Sequence, residues 1–148
     1  MLRLLALTLL LGSATAAHAQ SATDAAVDSL TVRGESFEDD LDGYVMIEPT
    51  VETFGEDGYF TLDLEVEAYV QYFFHVVVPE DQTYGSPWVV VEDAALNHIA
   101  SAANEGSDTD VDFTPREDGQ YTISVSTQSC TAAPCSFVYM LLEVDLDF

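Results

Sequence analysis

The chain has 148 residues, 48% of them hydrophobic, with 27 acidic side chains against three arginines and no lysine. Its formal net charge of −24 excludes nucleic acid and anionic lipid headgroups as partners, because both require clustered basic side chains. The hydrophobic content is nevertheless too high for a disordered chain, so we expect one folded domain with a sizeable core.

Three explanations of the acidity remain open. Dense carboxylates keep a protein hydrated and soluble where salt screens their mutual repulsion, and the absence of lysine favours such a saline setting. Specific Ca²⁺ loops would also use carboxylate oxygens. A general bias towards solubility is the third explanation.

Residues 1–19 have the pattern of a secretory signal peptide. Arg3 supplies the positive charge, Leu4–Leu11 the apolar segment, and Ala17–Ala19 a small-x-small cleavage site. The apolar segment is too short for a permanent membrane span. We therefore expect an exported, soluble protein, periplasmic or extracellular, that begins with a flexible lead-in over residues 20–29.

Alternation of apolar and polar residues dominates the chain after this lead-in. Phe60, Leu62, Leu64 and Val66 alternate with polar residues, which is typical of a strand with one buried face. The same parity continues to residue 78, too far for one strand, so a turn or bulge is expected near residues 65–68.

Further short strands are predicted between Gly-, Pro- and Asn-containing turns. They cover Trp88–Val91, Asn97–Ala102, Gln120–Ser126 and Phe137–Leu146. This pattern predicts an all-β fold over residues 30–148, a two-sheet antiparallel β-sandwich of jelly-roll-like type. Only residues 93–97 are expected to hold a helical turn.

Three segments resemble the bacterial pre-peptidase C-terminal (PPC) domain family. They are Leu30–Ser36 (LTVRGES), Asp57–Leu62 (DGYFTL) and Phe113–Val125 (FTPREDGQYTISV). The resemblance implies a small jelly-roll-like sandwich whose opening strand is the first segment and whose "GES" forms a turn. Members of the family usually follow a secreted peptidase or another exported enzyme. Since no catalytic domain is recognisable in this sequence, the resemblance implies a stand-alone accessory module.

Cys130 and Cys135 enclose four residues and are the only cysteines. In an exported protein such a pair predicts a disulfide. A loop this short contributes only about 2 kcal/mol in the chain-entropy model, so the bond would pin the end of a hairpin.

The sequence offers no recognisable catalytic motif. His75 and His98 follow the predicted signal peptide, but no GxSxG or HExxH pattern accompanies them. We therefore predict no catalytic residues and no enzyme activity.

Two acidic segments are candidate Ca²⁺ ligands, and Ca²⁺ is the one cofactor that the sequence suggests. The first holds Asp39, Asp40 and Asp42, and the second holds Asp108, Asp110 and Asp112. If the second lies on a strand, its three carboxylates share one face. The alternative is an acidic surface that binds only water and diffuse cations.

Four aromatic residues are candidates for ligand binding. Tyr59, Tyr69 and Phe73 share the otherwise polar parity of their strands, and Trp88 follows a Gly-Ser-Pro segment. Exposed aromatic rings can stack on the faces of sugars. The alternative is that the central strand is buried on both sides or packs beneath a loop.

Together these features predict a non-catalytic exported binding module, acidic and adapted to salt, with an unknown protein or polysaccharide as partner. A structural component of the cell envelope and a small secreted hydrolase or inhibitor remain the alternatives. A histidine ordered against a carboxylate and a nucleophile in a cleft would favour the hydrolase.

Overall fold

The computed structural model of the protein describes residues 13–41, 43–55, 57–82, 87–104, 106–127 and 135–145. The elements are α1 (Ser13–Leu41), β1 (Tyr44–Thr53), β2 (Tyr59–Val66), β3 (Val70–Val77), β4 (Trp88–Asp93), β5 (His98–Ala103), β6 (Asp108–Phe113), β7 (Gly119–Ser126) and β8 (Ser136–Asp145). Sheet A has the order β1-β8-β3-β6, sheet B the order β2-β7-β4-β5, and the paired strands are antiparallel. This order is that of a jelly roll, so the predicted fold class is confirmed.

The core lies between the two sheets and is built from the predicted alternating residues. Leu64 and Val66 are buried there, with Phe60 and Leu62 packed against them. Phe137 occupies the centre of an aromatic cluster, stacked on Phe54 with ring centroids 4.6 Å apart. Pleating sends every second side chain of each strand inwards, which is why the period of two predicted this core.

The predicted break between β2 and β3 is confirmed at residues 67–69, and it is held by the most specific of the three family-like segments. Tyr69 has a φ of 68°, a conformation unusual for a residue other than glycine. Its backbone N–H donates to the Pro115 carbonyl over 2.9 Å. The Ala68 N–H donates to Asp118 Oδ1 over 2.7 Å. The Pro115–Gly119 turn therefore has a structural role, because its oxygens fix this turn.

The N-terminal region differs from the prediction. Residues 20–29 and residues 30–36, expected as a flexible lead-in and an opening strand, both lie in the 29-residue helix α1. The assignment of residues 30–36 to a strand is wrong, as is the restriction of helix to residues 93–97. The first strand is instead β1, which starts eight residues after the "GES" segment.

A helical stripe of small and apolar residues explains the difference. Ala26, Leu30, Gly34 and Phe37 recur at the spacing of one helix face. This face packs on the outer side of sheet A, where Leu30 joins Val138, Met140 and Leu142 in a second buried cluster.

Gly34 lies where the helix packs closely against the sheet. A Cβ atom added there would lie 3.1 Å from Val45 Cγ2 and 3.2 Å from Met140 Sδ. The glycine is thus a packing position within α1, whereas the sequence suggested that it forms a turn.

Helix α1 therefore covers one outer face of the sandwich, and the outer face of sheet B carries no such helix in the described part of the chain. Among the described residues, no helix is both long and apolar enough to cross a membrane. The boundaries of the predicted signal peptide and of the domain stay predictions.

Candidate ligand-binding face

Two of the four candidate aromatic residues lie in one row across the outer face of sheet B. Tyr59 on β2 pairs with Ser126 on β7, and Ser126 pairs in turn with Trp88 on β4. The two aromatic side chains are 57% and 51% exposed. Because two strand spacings separate them, their Cα atoms lie about 10 Å apart. The small Ser126 leaves the space between the rings open.

The neighbouring residues of this face are small or hydroxylated. Trp88 pairs on its other side with Ala103 of β5. The next row holds Thr61, Ser124, Val90 and Ser101. Farther along the strands lie acids, and one of them, Asp63, accepts a hydrogen bond from Thr122 Oγ1 at 2.7 Å. We call this surface the aromatic face, which consists of Tyr59, Trp88 and the small, mainly polar side chains around them.

Tyr69 and Phe73 do not belong to the aromatic face. Tyr69 is exposed in the β2–β3 turn. Phe73 lies on the outer side of sheet A, where α1 covers it and Phe37 packs edge-on against its ring at 5.2 Å. Of the four candidates, only Tyr59 and Trp88 therefore lie together. At Phe73 the alternative interpretation holds, because strand β3 is covered on both of its faces there.

The second acidic segment forms β6, and its three aspartates share the outer face of the strand as expected. Asp110 is the centre of a cluster with two partners. His75 Nδ1 lies 2.6 Å from Asp110 Oδ1, and Arg33 of α1 donates to both carboxylate oxygens over 3.1 and 3.2 Å. The cluster ties α1 to the edge of sheet A.

Asp110 carries a lowered pKa. The hydrogen bond with His75 lowers its pKa most, burial opposes that shift, and the charges of His75 and Arg33 lower the pKa further. Since the folded-state value is below that of the unfolded chain, the stabilisation is complete above about pH 4 and is lost as the pH falls through the folded-state value.

We expect Asp110→Asn to destabilise the protein near neutral pH, because Arg33 and His75 lose their anionic partner. The difference in free energy of unfolding from the wild type should shrink as the pH falls below about 4. Urea unfolding over a pH series measures it. Asp112→Asn is the control, since among the described residues Asp112 accepts a single long hydrogen bond, from Gln71 at 3.4 Å. A difference for Asp110→Asn that is constant with pH would contradict this assignment.

The predicted cation sites stay predictions. Asp39 and Asp40 are exposed near the end of α1, and Asp42 lies outside the described residues. Within the described ranges, no group of three or more His, Cys, Asp or Glu side chains is arranged to hold a metal ion. On β6, Asp108 accepts from Ser107 Oγ, and the other two aspartates have the partners described above.

The predicted disulfide also stays a prediction, because Cys130 lies outside the described residues. Cys135 is buried in the core, where its carbonyl accepts a hydrogen bond from the Phe54 N–H at 3.0 Å. The position therefore anchors the start of β8 against the end of β1.

The His75–Asp110 pair meets part of the condition that would favour a hydrolase. An ordered imidazole against a carboxylate is half of a nucleophile-activating arrangement. Among the described residues, His75 forms no hydrogen bond with a serine, threonine or cysteine side chain; its second partner is Arg33 Nη1 at 3.1 Å. The contacts present are those of a structural cluster at the junction of helix and sheet.

No family model matches the chain, and no curated protein matches it significantly. Among solved structures, it is similar to the pre-peptidase C-terminal domain of collagenase from Bacillus anthracis, with 16% identity and a TM-score of 0.48 over 65% of this chain and 88% of that one. For a Bacillus licheniformis lipase in its propeptide form the values are 13% and 0.42, over 66% and 22%. For the Macrobrachium rosenbergii nodavirus P-domain they are 12% and 0.35, over 72% and 94%. Similarities this low carry no argument about function.

Sequence reasoning missed Arg33 and the role of Ser126. The position of Arg33 in an expected strand hid its pairing with Asp110, 77 residues away. Ser126 was visible only as the end of a strand, because its place between two rings depends on the pairing of β7 with both β2 and β4.

Proposed function

We propose that the protein is a non-catalytic exported module that binds a polysaccharide on its aromatic face. The observation that carries this proposal is the row Tyr59–Ser126–Trp88, in which two exposed rings flank a small hydroxylated residue on an open sheet. Both aromatic residues expose more than half of their surface to water, and burial of an aromatic ring is favourable. Stacking of each aromatic ring on a flat, partly apolar ring of a ligand would bury this exposed surface.

The rest of the aromatic face fits a sugar chain. Thr61 and Ser124 can donate and accept hydrogen bonds with sugar hydroxyls, and carboxylates such as Glu92 can accept them. Two sugar rings that present the same face in an extended β-1,4-linked chain are one disaccharide apart, a length similar to the separation of Tyr59 and Trp88. The net charge of −24 disfavours acidic polysaccharides, and we propose an uncharged polysaccharide as the ligand.

We also propose export through the segment at residues 1–19 and membership in the PPC family. The family proposal now rests on the second and third family-like segments, since the first lies in α1. Phe113 and Tyr121 of the third segment stack in the core, with ring centroids 6.3 Å apart.

Substitution of the two rings tests the binding proposal. We expect Trp88→Ala and Tyr59→Ala each to weaken binding to an uncharged β-1,4-linked polysaccharide about tenfold, or about 1.4 kcal/mol. Calorimetry with xylan and soluble oligosaccharides of cellulose and chitin measures the affinity. Tyr44→Ala removes a similarly exposed tyrosine from sheet A and should leave the affinity for the polysaccharide unchanged.

Alginate, an acidic polysaccharide, serves as the second control and should not bind. The proposal is wrong if none of the uncharged polymers binds the wild type, or if all three variants bind like it while their unfolding curves show an intact fold.

A further inference from the structure

The edges of the two sheets are protected unequally. Exposed edge strands invite pairing with other chains, and proteins block this with charges, proline or bulges. In the described part of the chain, three of the four edge strands carry acidic side chains. They are β1, with Glu48, Pro49, Glu52 and two register shifts; β2, with Asp63 and Glu65; and β6, with its three aspartates.

The fourth edge strand, β5, carries only one of these devices on its six residues, a bulge at its start, where Val91 of β4 pairs with Ala100 and the next residue, Glu92, pairs with His98. Its sequence, HIASAA, contains no Asp, Glu, Lys, Arg or Pro, although the chain as a whole holds 27 acids. It pairs with β4 on one side only, and its side chains are exposed or half-buried. Ile99 adds an exposed apolar side chain. This strand is therefore an uncharged template for backbone pairing.

We propose that β5 pairs antiparallel with β5 of a second copy of this chain. Charge argues for a second copy over a basic partner, because a basic strand would need acidic side chains opposite it and β5 itself carries none. Two copies with a net charge of −24 each repel one another over most of their surfaces. An uncharged edge is where they can approach closely.

The sequence of β5 is compatible with its own antiparallel copy. With the two-fold axis at Ser101, the opposing pairs are Ser101–Ser101 and Ala100–Ala102, in the regular part of β5 that follows the bulge at Ile99. Each pair matches residues of the same face, as antiparallel pairing requires, and sets no two like charges opposite each other. In the resulting dimer, sheet B of one copy and sheet B of the other form one continuous sheet.

Sedimentation velocity over a range of concentrations tests this proposal on the purified protein. We expect a dimer in molar NaCl, with a dissociation constant that rises as the salt is diluted, because salt screens the repulsion between copies. Ser101→Glu sets two carboxylates opposite each other at the axis and should weaken dimerisation about tenfold or more.

Thr61→Glu is the matched control, since it adds the same charge to the same outer face on the opposite edge strand, β2. It should leave the dissociation constant within about twofold, the range expected for a distant charge in high salt. A wild-type protein that stays monomeric in molar NaCl overturns the proposal. So does a dimer that both substitutions weaken equally, or that neither weakens.

Discussion

Leu30→Ala is expected to lower the free energy of unfolding by about 2–5 kcal/mol. Leu30 is fully buried between α1 and the outer side of sheet A, against Val138, Met140 and Leu142. Truncation to alanine removes the favourable burial of the leucine side chain and leaves a cavity between the helix and the sheet, which the surrounding residues fill only in part. Urea unfolding followed by circular dichroism measures the change.

Val32→Ala provides the control on the same helix. Val32 is 61% exposed, and alanine is the better helix former by about 0.5 kcal/mol, so this variant should be neutral or slightly more stable. Near-equal effects of the two substitutions would show that α1 does not dock on sheet A. Because Leu30 lies in a segment expected from sequence to be a strand, the comparison also tests the helical assignment directly.

The second large effect expected is that of salt. With 27 acids and three arginines, the folded chain concentrates carboxylates on a small surface. The Debye length falls from about 30 Å at 0.01 M to about 3 Å at 1 M salt, so molar NaCl removes most of the mutual repulsion. We expect Tm to rise by about 10 °C or more between these conditions, which for a domain of this size is about 2–3 kcal/mol.

Measurement of the same salt series at low pH separates this repulsion from other effects of salt. Near pH 3 most carboxylates are protonated, so the gain in Tm should be much smaller there. A Tm that is unchanged or higher in dilute buffer at neutral pH would contradict the proposed adaptation to salt and would favour plain solubility as the reason for the acidity.

The β-sandwich was predictable because its signal is local. Alternating residues such as Phe60, Leu62 and Leu64 report a buried strand face within a few positions, and the turns between strands carry Gly, Pro and Asn. The break after Val66 was predictable from length alone. Its mechanism was not, since the oxygens that fix Tyr69 come from a turn some 50 residues further along the chain.

Helix α1 was missed although its stripe is visible in the sequence. The strand over residues 30–36 was expected from the resemblance of Leu30–Ser36 to the opening strand and turn of the PPC family. Burial of one face against sheet A stabilises a helix there instead. The spacing of Ala26, Leu30 and Phe37 was the signal that could have found the helix.

The candidate site was only half predictable. The position of Tyr59 among the polar residues of a predicted strand singled it out, and an apolar run began at Trp88. No local sequence signal showed that these two residues, 29 positions apart, are neighbours. Their common row depends on the register of β7 with two strands at once. The same parity also selected Phe73, and only the docked helix shows that its ring is covered.

The unequal covering of the two sheets has a consequence for how this protein can change over generations. Phe73 of β3 and Val138, Met140 and Leu142 of β8 face apolar neighbours even on the outer side of sheet A, so a polar substitution at these positions threatens folding. On sheet B, only one side of each strand bears that constraint. The exposed positions of β2, β4 and β7 can therefore be exchanged at little risk to the scaffold, and new recognition properties are expected to arise there first.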